Sequence, residues 1–338
     1  MSRARLCLIP VCAILTILPA RGRTAPPSAI PAHADADSGS SIKPATVGGP
    51  IDSLVPLSAW EPRDPEANLS LVPHALITDP LGRLWILDRS RGRIARLNAD
   101  GEGRSLAIGS LSVGGVSTPV ADIAASGAFL FLLQPAIESI SLLDLDGYYR
   151  NQVNLEPELE RAGYRGFLAS RLFVGLSGDL WLLEPRSGRL LRLDRLGRFL
   201  DAPLNAMAGA DRLRRIEDAT FGPDDALLLL DGGRSGIATI SATGAPQAFE
   251  PLAGPLVEPA SIACDAIGLR YVLEGNGRLR VVRPGGTVVW DGRLIGGGPD
   301  GPHRTCIIDG DVLCAADAAH GTIHRWRIAR RGPEDAQH

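Results

Sequence analysis

Residues 73–101, PHALITDPLGRLWILDRSRGRIARLNADG, decide the fold of this 338-residue chain. Each short apolar run within the stretch ends at Gly, Asp or Asn, and no run is long enough to form a helix. Short runs rich in branched and aromatic side chains, separated by such turn residues, are typical of antiparallel strands. The stretch therefore predicts several short strands joined by tight turns.

The same pattern returns along the chain. Residues 84–101 (LWILDRSRGRIARLNADG) and 180–197 (LWLLEPRSGRLLRLDRLG) match apolar for apolar and acid for acid. The residue aligned with Trp85 recurs at intervals of 43 to 50 residues, at Phe131, Trp181, Leu228, Tyr271 and Cys314. A period of about 40–50 residues with four strands per unit is typical of propeller blades. We therefore predict an all-β fold, a six-bladed β-propeller of four-stranded blades, over residues 51–330.

The two ends of the propeller predict how the ring closes. The sixth copy ends at IHRWRIARRG without a clear fourth strand, and the run LVPLSAW at 54–60 precedes the first copy without a partner. We expect residues 54–60 to be the outer strand that closes the last blade. Residues 156–169 and 205–218 are predicted to hold helical turns on a face of the ring.

The N-terminal segment suggests export. Residues 1–20 combine a basic start with an apolar run that is shorter than the roughly 20 residues of a membrane span, which is typical of a signal peptide. The alternative is a buried or uncleaved segment. Residues 21–50 are rich in Ala, Pro and Ser and predict a disordered linker, and 331–338 a flexible tail. An extracytoplasmic location, periplasmic or secreted, is expected, with no transmembrane span.

Charge and cysteine content narrow the partners. The chain has 35 basic and 38 acidic residues, so nothing in its charge predicts a nucleic-acid partner. Export permits disulfides, and Cys306 and Cys314 flank a predicted hairpin turn. They form a disulfide if the strand register places them opposite each other and remain separate thiols if it does not. The chain contains neither a Gly-x-Ser-x-Gly nucleophile motif nor a phosphate-binding P-loop.

An acid closes the second strand of nearly every copy. The series is Asp88, Glu184, Asp231, Glu274 and Asp317, with Gln134 in the second copy. A ring of functional carboxylates is one interpretation. An active site rarely needs every copy of a repeat, whereas a turn needs an acceptor for its backbone N–H groups each time. We therefore predict that these acids have a structural role.

The start of the innermost strand varies more between copies. It carries His74 in the first copy, Glu217 in the fourth and His303 in the sixth. Two imidazoles and a carboxylate can bind a divalent ion such as zinc and leave one position open, and calcium is the other candidate. Polar residues lining a water-filled pore are the alternative. His320 and His324 lie in strand and turn and are predicted to be surface residues.

The chain resembles the NHL-repeat family of six-bladed propellers. The resemblance rests on Asp79-x-x-Gly82-x-Leu84-Trp85-x-x-Asp88, the Gly-Arg-Ile that follows at 92–94, and the counterparts in the third copy. The family includes protein-binding modules and extracellular lyases, and lactonases share the shape. Some of these lyases place histidines around a central metal at matching positions, which fits the Pro-His pairs at 73–74 and 302–303, although a third histidine is missing. The lactonase start motif is matched only out of order, at residues 59–62.

Two functions remain open from the sequence. The first is an exported scaffold that binds an unidentified protein or small ligand at a propeller face. The second is an extracytoplasmic metal-dependent lyase or hydrolase with its site at the mouth of the central channel. The resemblance does not choose between them, because one fold carries many activities.

Overall fold

The computed structural model describes residues 51–64, 68–97, 103–107, 119–206, 212–294, 303–317 and 319–330. Within these ranges the strands form six antiparallel sheets of four strands each, which confirms the predicted all-β six-bladed propeller. The predicted signal peptide, linker and C-terminal tail lie outside the described residues.

The strands are short and follow one another through tight turns. In chain order they are β1 (Ile51–Trp60), β2 (Ala75–Thr78), β3 (Leu84–Asp88), β4 (Arg93–Leu97), β5 (Gly103–Ala107), β6 (Asp122–Ser126), β7 (Phe129–Gln134), β8 (Ser139–Asp144), β9 (Tyr149–Asn154), β10 (Arg171–Val174), β11 (Leu180–Glu184), β12 (Arg189–Leu193), β13 (Phe199–Asp201), β14 (Ile216–Phe221), β15 (Leu227–Asp231), β16 (Gly236–Ile240), β17 (Pro246–Pro251), β18 (Pro259–Cys264), β19 (Arg270–Glu274), β20 (Arg278–Val282), β21 (Val288–Arg293), β22 (His303–Asp309), β23 (Val312–Asp317) and β24 (Thr322–Arg330).

Blades one to five each consist of four consecutive strands, β2–β5, β6–β9, β10–β13, β14–β17 and β18–β21. The sixth sheet has the order β1-β24-β23-β22, and β1 runs antiparallel to β24 with Leu54 opposite Ile328. The first strand of each consecutive set, and β22 in the sixth sheet, is innermost. Each innermost strand contacts that of the next blade, and β22 contacts β2, so the ring is closed around a central channel.

Blade packing explains why the second strand of each unit is almost entirely apolar. In β3, Trp85 and Leu87 pack towards blade two, whereas Leu84 and Ile86 pack towards blade six. Alternate side chains of a strand point to opposite faces of the sheet, so a blade between two neighbours must be apolar on both. Trp85 is only 1% exposed. The run LWILD is therefore a strand buried on both faces.

The connections between blades depart in part from expectation. Helix α1 (Glu156–Arg161) lies in the first segment that was predicted to hold helical turns. The second prediction, 205–218, is wrong at its C-terminal end, because Ile216 already begins β14. A short 3-10 helix, Pro203–Ala206, overlaps its start. Across the part of the chain that is described, no helix combines the length and apolar character needed to cross a membrane.

Candidate functional site

The acids that recur at the end of each second strand hold turns and blade connections together. The buried carboxylate of Asp88 accepts the Val72 N–H at 2.9 Å, the Arg91 N–H at 3.0 Å and the Ser90 hydroxyl at 2.5 Å. Asp317 likewise accepts the N–H groups of the turn that follows it. Burial alone would raise the pKa of Asp88, but these hydrogen bonds and one from the Arg91 guanidinium outweigh it and lower the pKa. The predicted structural role is confirmed for these acids.

His74 belongs to the same capping network. Its Nδ1 lies 2.9 Å from the Val72 carbonyl oxygen and 3.3 Å from the Arg89 amide nitrogen. The carbonyl requires a protonated Nδ1 and the amide an unprotonated one, so only one bond forms in a given tautomer. Asp88 Oδ1 is 3.9 Å away. The Nδ1 atom of His74 thus takes part in the connection into blade one.

Glu217 lies at a β-bulge near the start of β14, between the register pairs formed by Ile216 and Asp218. Its carboxylate forms an ion pair with Arg215, on the segment leading into the strand. A bulge redirects a side chain relative to the regular strand. The predicted metal ligand is therefore engaged with a cation beside it.

His303 begins β22 opposite Asp317, and its side chain lies outside the described part of the structure. Among the described residues, no three His, Cys, Asp or Glu side chains are grouped as they would be around a metal. The predicted set of His74, Glu217 and His303 is thus not brought together by the described side chains, and it stays a prediction. Its zinc or calcium ion has no described three-ligand site.

The remaining histidines and cysteines can be placed individually. His320 is 53% exposed and its Nδ1 lies 2.7 Å from Asp317 Oδ2, which confirms the predicted surface position. The surface prediction for His324 is wrong, because it lies in the middle strand β24 and stacks on Trp326, with 4% exposure. Cys314 pairs with Ile307 in the register, and Cys306 with Ala315. The register condition for a Cys306–Cys314 disulfide is therefore not met.

The channel itself holds charged residues that the sequence comparison missed. One equivalent register position on the innermost strands carries Ala75, Asp122, Arg171, Asp218 and Ser261 in blades one to five. Each lies opposite the residue that precedes the recurring acid or its Gln counterpart. All five line a cavity of about 270 Å³ at the centre of the ring. The charged side chains of Asp122, Arg171 and Asp218, on three successive blades, thus line one cavity.

The two aspartates also connect neighbouring blades. Asp122 is 5% exposed, and its Oδ2 accepts the Leu172 N–H of blade three at 2.9 Å. Asp218 is 9% exposed, and its Oδ2 accepts the Ser261 hydroxyl at 2.9 Å and the Ile262 N–H of blade five at 3.1 Å. Each carboxylate therefore binds the inner edge of the next blade in the ring.

Arg171 lies between these acids on the half-buried inner edge of blade three. Burial alone would lower its pKa, but the negative charges of Asp218 and Asp122 outweigh it and raise the pKa. No carboxylate oxygen of the described residues comes within 4.0 Å of its guanidinium. Arg171 is thus held in the field of both acids without a direct ion pair.

Burial raises the pKa of Asp122 and of Asp218, and Arg171 only partly offsets the effect. The two carboxylates also repel each other, which adds to the pKa of Asp122. Carboxyl groups moved towards neutrality can give or take protons, and a neighbouring guanidinium can stabilise negative charge as it develops. The trio therefore has the components of an acid–base site with an electrophilic partner.

The sequence contained a signal for this trio. The charged side chains interrupt otherwise small or apolar inner strands, DIAAS in β6 and RLFV in β10. Aligning the copies on the turn glycine identifies the residue just before the position that lines the channel. In blade one this residue is His74, whereas Ala75 lines the channel. The sequence comparison therefore identified the innermost strands correctly but not the residues on them that line the channel.

No family model matches the chain, and no curated protein is significantly similar to it. Solved structures do match. Virginiamycin B lyase from Staphylococcus aureus gives a TM-score of 0.55 at 15% identity, over 75% of this chain and 80% of the lyase. A gluconolactonase from Xanthomonas campestris gives 0.55 at 16% identity, over 85% of this chain and 99% of that protein. Similarity at this level of identity establishes the six-bladed propeller fold, and membership of the NHL-repeat family stays a prediction.

Proposed function

We propose that the protein is an enzyme of the hydrolase or lyase class that acts on a small polar molecule in the central channel. The observation that carries the proposal is the trio of Asp122, Arg171 and Asp218 in one cavity, with the pKa of both acids raised. The lyase and the gluconolactonase that share the fold support this reaction class over an inert scaffold. The basic start of residues 1–20 and the apolar run that follows it support an extracytoplasmic location.

The proposed chemistry uses one of the two carboxyl groups in its ionised form and the other in its protonated form, and the raised pKa of both acids favours such a pair. In a hydrolysis, the ionised aspartate takes a proton from water and the water oxygen bonds to the carbonyl carbon. The bond between that carbon and the leaving oxygen then breaks, and the protonated aspartate gives its proton to the leaving oxygen. In an elimination, the base takes a proton from carbon, the electron pair of that C–H bond forms a carbon–carbon double bond, and the bond from the neighbouring carbon to the leaving group breaks as the acid protonates that group. In both cases Arg171 stabilises the negative charge on the substrate oxygen.

The predicted metal set does not enter these steps. His74 lies in the capping network of Asp88, Glu217 pairs with Arg215, and no three-ligand group occurs among the described side chains. The side chain of His303 lies outside the described residues, so the predicted set stays a prediction. No step is therefore assigned to a metal.

A binding scaffold without chemistry is the second candidate. One observation favours it, since Asp122 and Asp218 each accept a backbone N–H from the next blade. Such bonds are useful to the fold even if the channel binds nothing. The scaffold and the enzyme therefore differ in whether the channel acids have a second role.

Turnover assays separate the two candidates. Purified protein is given δ-gluconolactone and quinupristin, the compounds suggested by the structural neighbours. We expect conversion of at least one, and a loss of about 100-fold or more in Asp218→Asn and Arg171→Gln at unchanged thermal midpoint. Arg189→Gln is the matched control, because Arg189 is exposed on the same blade and 3.9 Å from Glu184.

Conversion at the wild-type rate in both channel variants would remove the trio from the mechanism. If neither compound reacts with the wild-type protein, the scaffold is favoured.

A further inference from the structure

We propose that the channel takes a small organic anion, a hydroxylated carboxylic acid, with its carboxylate bound by Arg171 and its hydroxyl groups hydrogen-bonded to Asp122 and Asp218. The inference specifies the substrate or product class of the proposed enzyme and rests on the same site. Of the three charged residues, Asp122 and Asp218 join neighbouring blades, whereas Arg171 does not.

Arg171 breaks a structural pattern. Asp122 joins blade two to three and Asp218 joins blade four to five, each by accepting an inner-edge N–H. Arg171 occupies the equivalent register position of blade three, opposite Leu183. A guanidinium has no acceptor and cannot make this bond. Arg171 therefore balances the charge of the neighbouring acids but does not join blades as they do.

Other largely buried arginines of this propeller, on the third strands of their blades, have direct partners. Arg192 lies 2.7 Å from Asp179, Arg280 lies 2.9 Å from Glu274, and Arg330 lies 2.7 Å from Asp265. Arg171 lines the cavity, and no carboxylate of the described residues lies within 4.0 Å of it. A planar guanidinium that lines a cavity is suited to a carboxylate, which it can bind through two parallel hydrogen bonds.

The charge balance of the cavity also favours an anion. Asp122 faces Arg171 from β6, Asp218 and Glu217 from β14, and Arg89 approaches from the turn after β3. Glu217 and Arg215 neutralise each other, so the remaining charged groups are the cations Arg89 and Arg171 and the acids Asp122 and Asp218. Burial raises the pKa of both acids, which weakens the negative charge that would oppose a bound anion.

Size and polarity narrow the class further. The cavity volume of about 270 Å³ lies just below the usual range for ligand pockets, about 300–1,000 Å³. Asp122, Asp218 and Ser261 supply hydrogen-bonding groups on the wall. Buried polar groups reject ligands that leave them unpaired. The site therefore fits a compact, hydroxyl-rich acid better than an apolar one.

Calorimetric titration with D-gluconate and with sorbitol tests the proposal. The two compounds differ in that sorbitol has a hydroxymethyl group where gluconate has its carboxylate. We expect the full-length protein to bind gluconate at least about 10-fold more tightly than sorbitol, and Arg171→Gln to remove that preference. Arg189→Gln, with the same charge change outside the channel, should retain it. Gluconate affinity should fall as pH rises, because Asp122 and Asp218 ionise.

Equal affinity for the two compounds, an unchanged preference in Arg171→Gln, or no gluconate binding at 10 mM each overturns the proposal. If Arg171→Gln does not fold, Arg171→Lys keeps the cation without the planar fork and should weaken gluconate binding about 10-fold or more, and unchanged binding again overturns it. Gluconate binding without turnover of any substrate supports the anion site and counts against the enzyme. Turnover of δ-gluconolactone without a preference for gluconate over sorbitol supports the enzyme and counts against the anion site.

Discussion

Replacing Asp88 by alanine should destabilise the propeller without affecting the channel directly. The carboxylate is fully buried and accepts hydrogen bonds from Val72, Ser90 and Arg91. Each partly buried donor left without an acceptor costs about 1–3 kcal/mol, and the Arg91 groups near the surface recover part of this from water. We therefore expect the free energy of unfolding to fall by about 2–4 kcal/mol.

Urea denaturation at pH 7 measures the effect. Asp88→Asn keeps one acceptor oxygen and should lose about half as much stability as Asp88→Ala. Asp146→Ala is the control, because its side chain is 65% exposed and its ion pair with Arg96 lies near the surface. Its loss should stay below about 1 kcal/mol.

The pH dependence gives a second check on Asp88. Its pKa is lower in the folded protein than the ordinary value of 3.8, so its carboxylate stabilises the fold above that value. This contribution is lost as pH falls through the folded pKa, so wild type and Asp88→Asn should differ less in stability below that pKa than at pH 7. If Asp88→Ala were as stable as Asp146→Ala yet failed to bind channel ligands, the structural assignment would be refuted.

Two further substitutions test how the blades are held. Asp218→Ala should lower the free energy of unfolding by about 2–3 kcal/mol, because the Ser261 hydroxyl and the Ile262 N–H lose their acceptor. Asp218→Asn can offer its amide oxygen to the same two donors and should cost less than about 1 kcal/mol. Equal losses for the two variants in urea denaturation would contradict these hydrogen bonds. Arg280→Met should cost about 3–5 kcal/mol because it leaves the buried Glu274 without its cation, and adding Glu274→Gln should recover part of the loss, which a double-mutant cycle measures.

The sequence predicted the blades well because their physical requirement is local and repeated. A strand packed on both faces must be apolar throughout, and LWILD and LWLLE in β3 and β11 satisfy this. The turn between β2 and β3 needs a residue with positive φ, and Gly82 supplies it at 70°. These constraints act within one unit, so they return at each period and can be read from a single chain.

The channel was harder to predict because it depends on contacts between units. Asp122 meets Leu172 across 50 positions of sequence, and nothing within either blade indicates the pair. Register adds a second difficulty, since a shift of one residue moves every side chain to the other face of a strand. In blade four the residue aligned by the turn is Glu217, which lies at a bulge. The next residue, Asp218, lines the channel cavity. The sequence comparison therefore named Glu217 and missed Asp218.

The direction of the pKa shift differs between Asp88 and the two channel acids. A carboxylate that accepts several N–H bonds should remain ionised, and at Asp88 these bonds outweigh burial and lower the pKa. Asp122 and Asp218 also accept such bonds, and both lie in the field of Arg171, yet burial prevails and raises their pKa. A purely structural link between blades gains nothing from a carboxyl group that is easily protonated, because the neutral acid accepts hydrogen bonds less strongly. The channel acids are therefore set apart by their environment from Asp88, and Arg171, which joins no blades, lies between them.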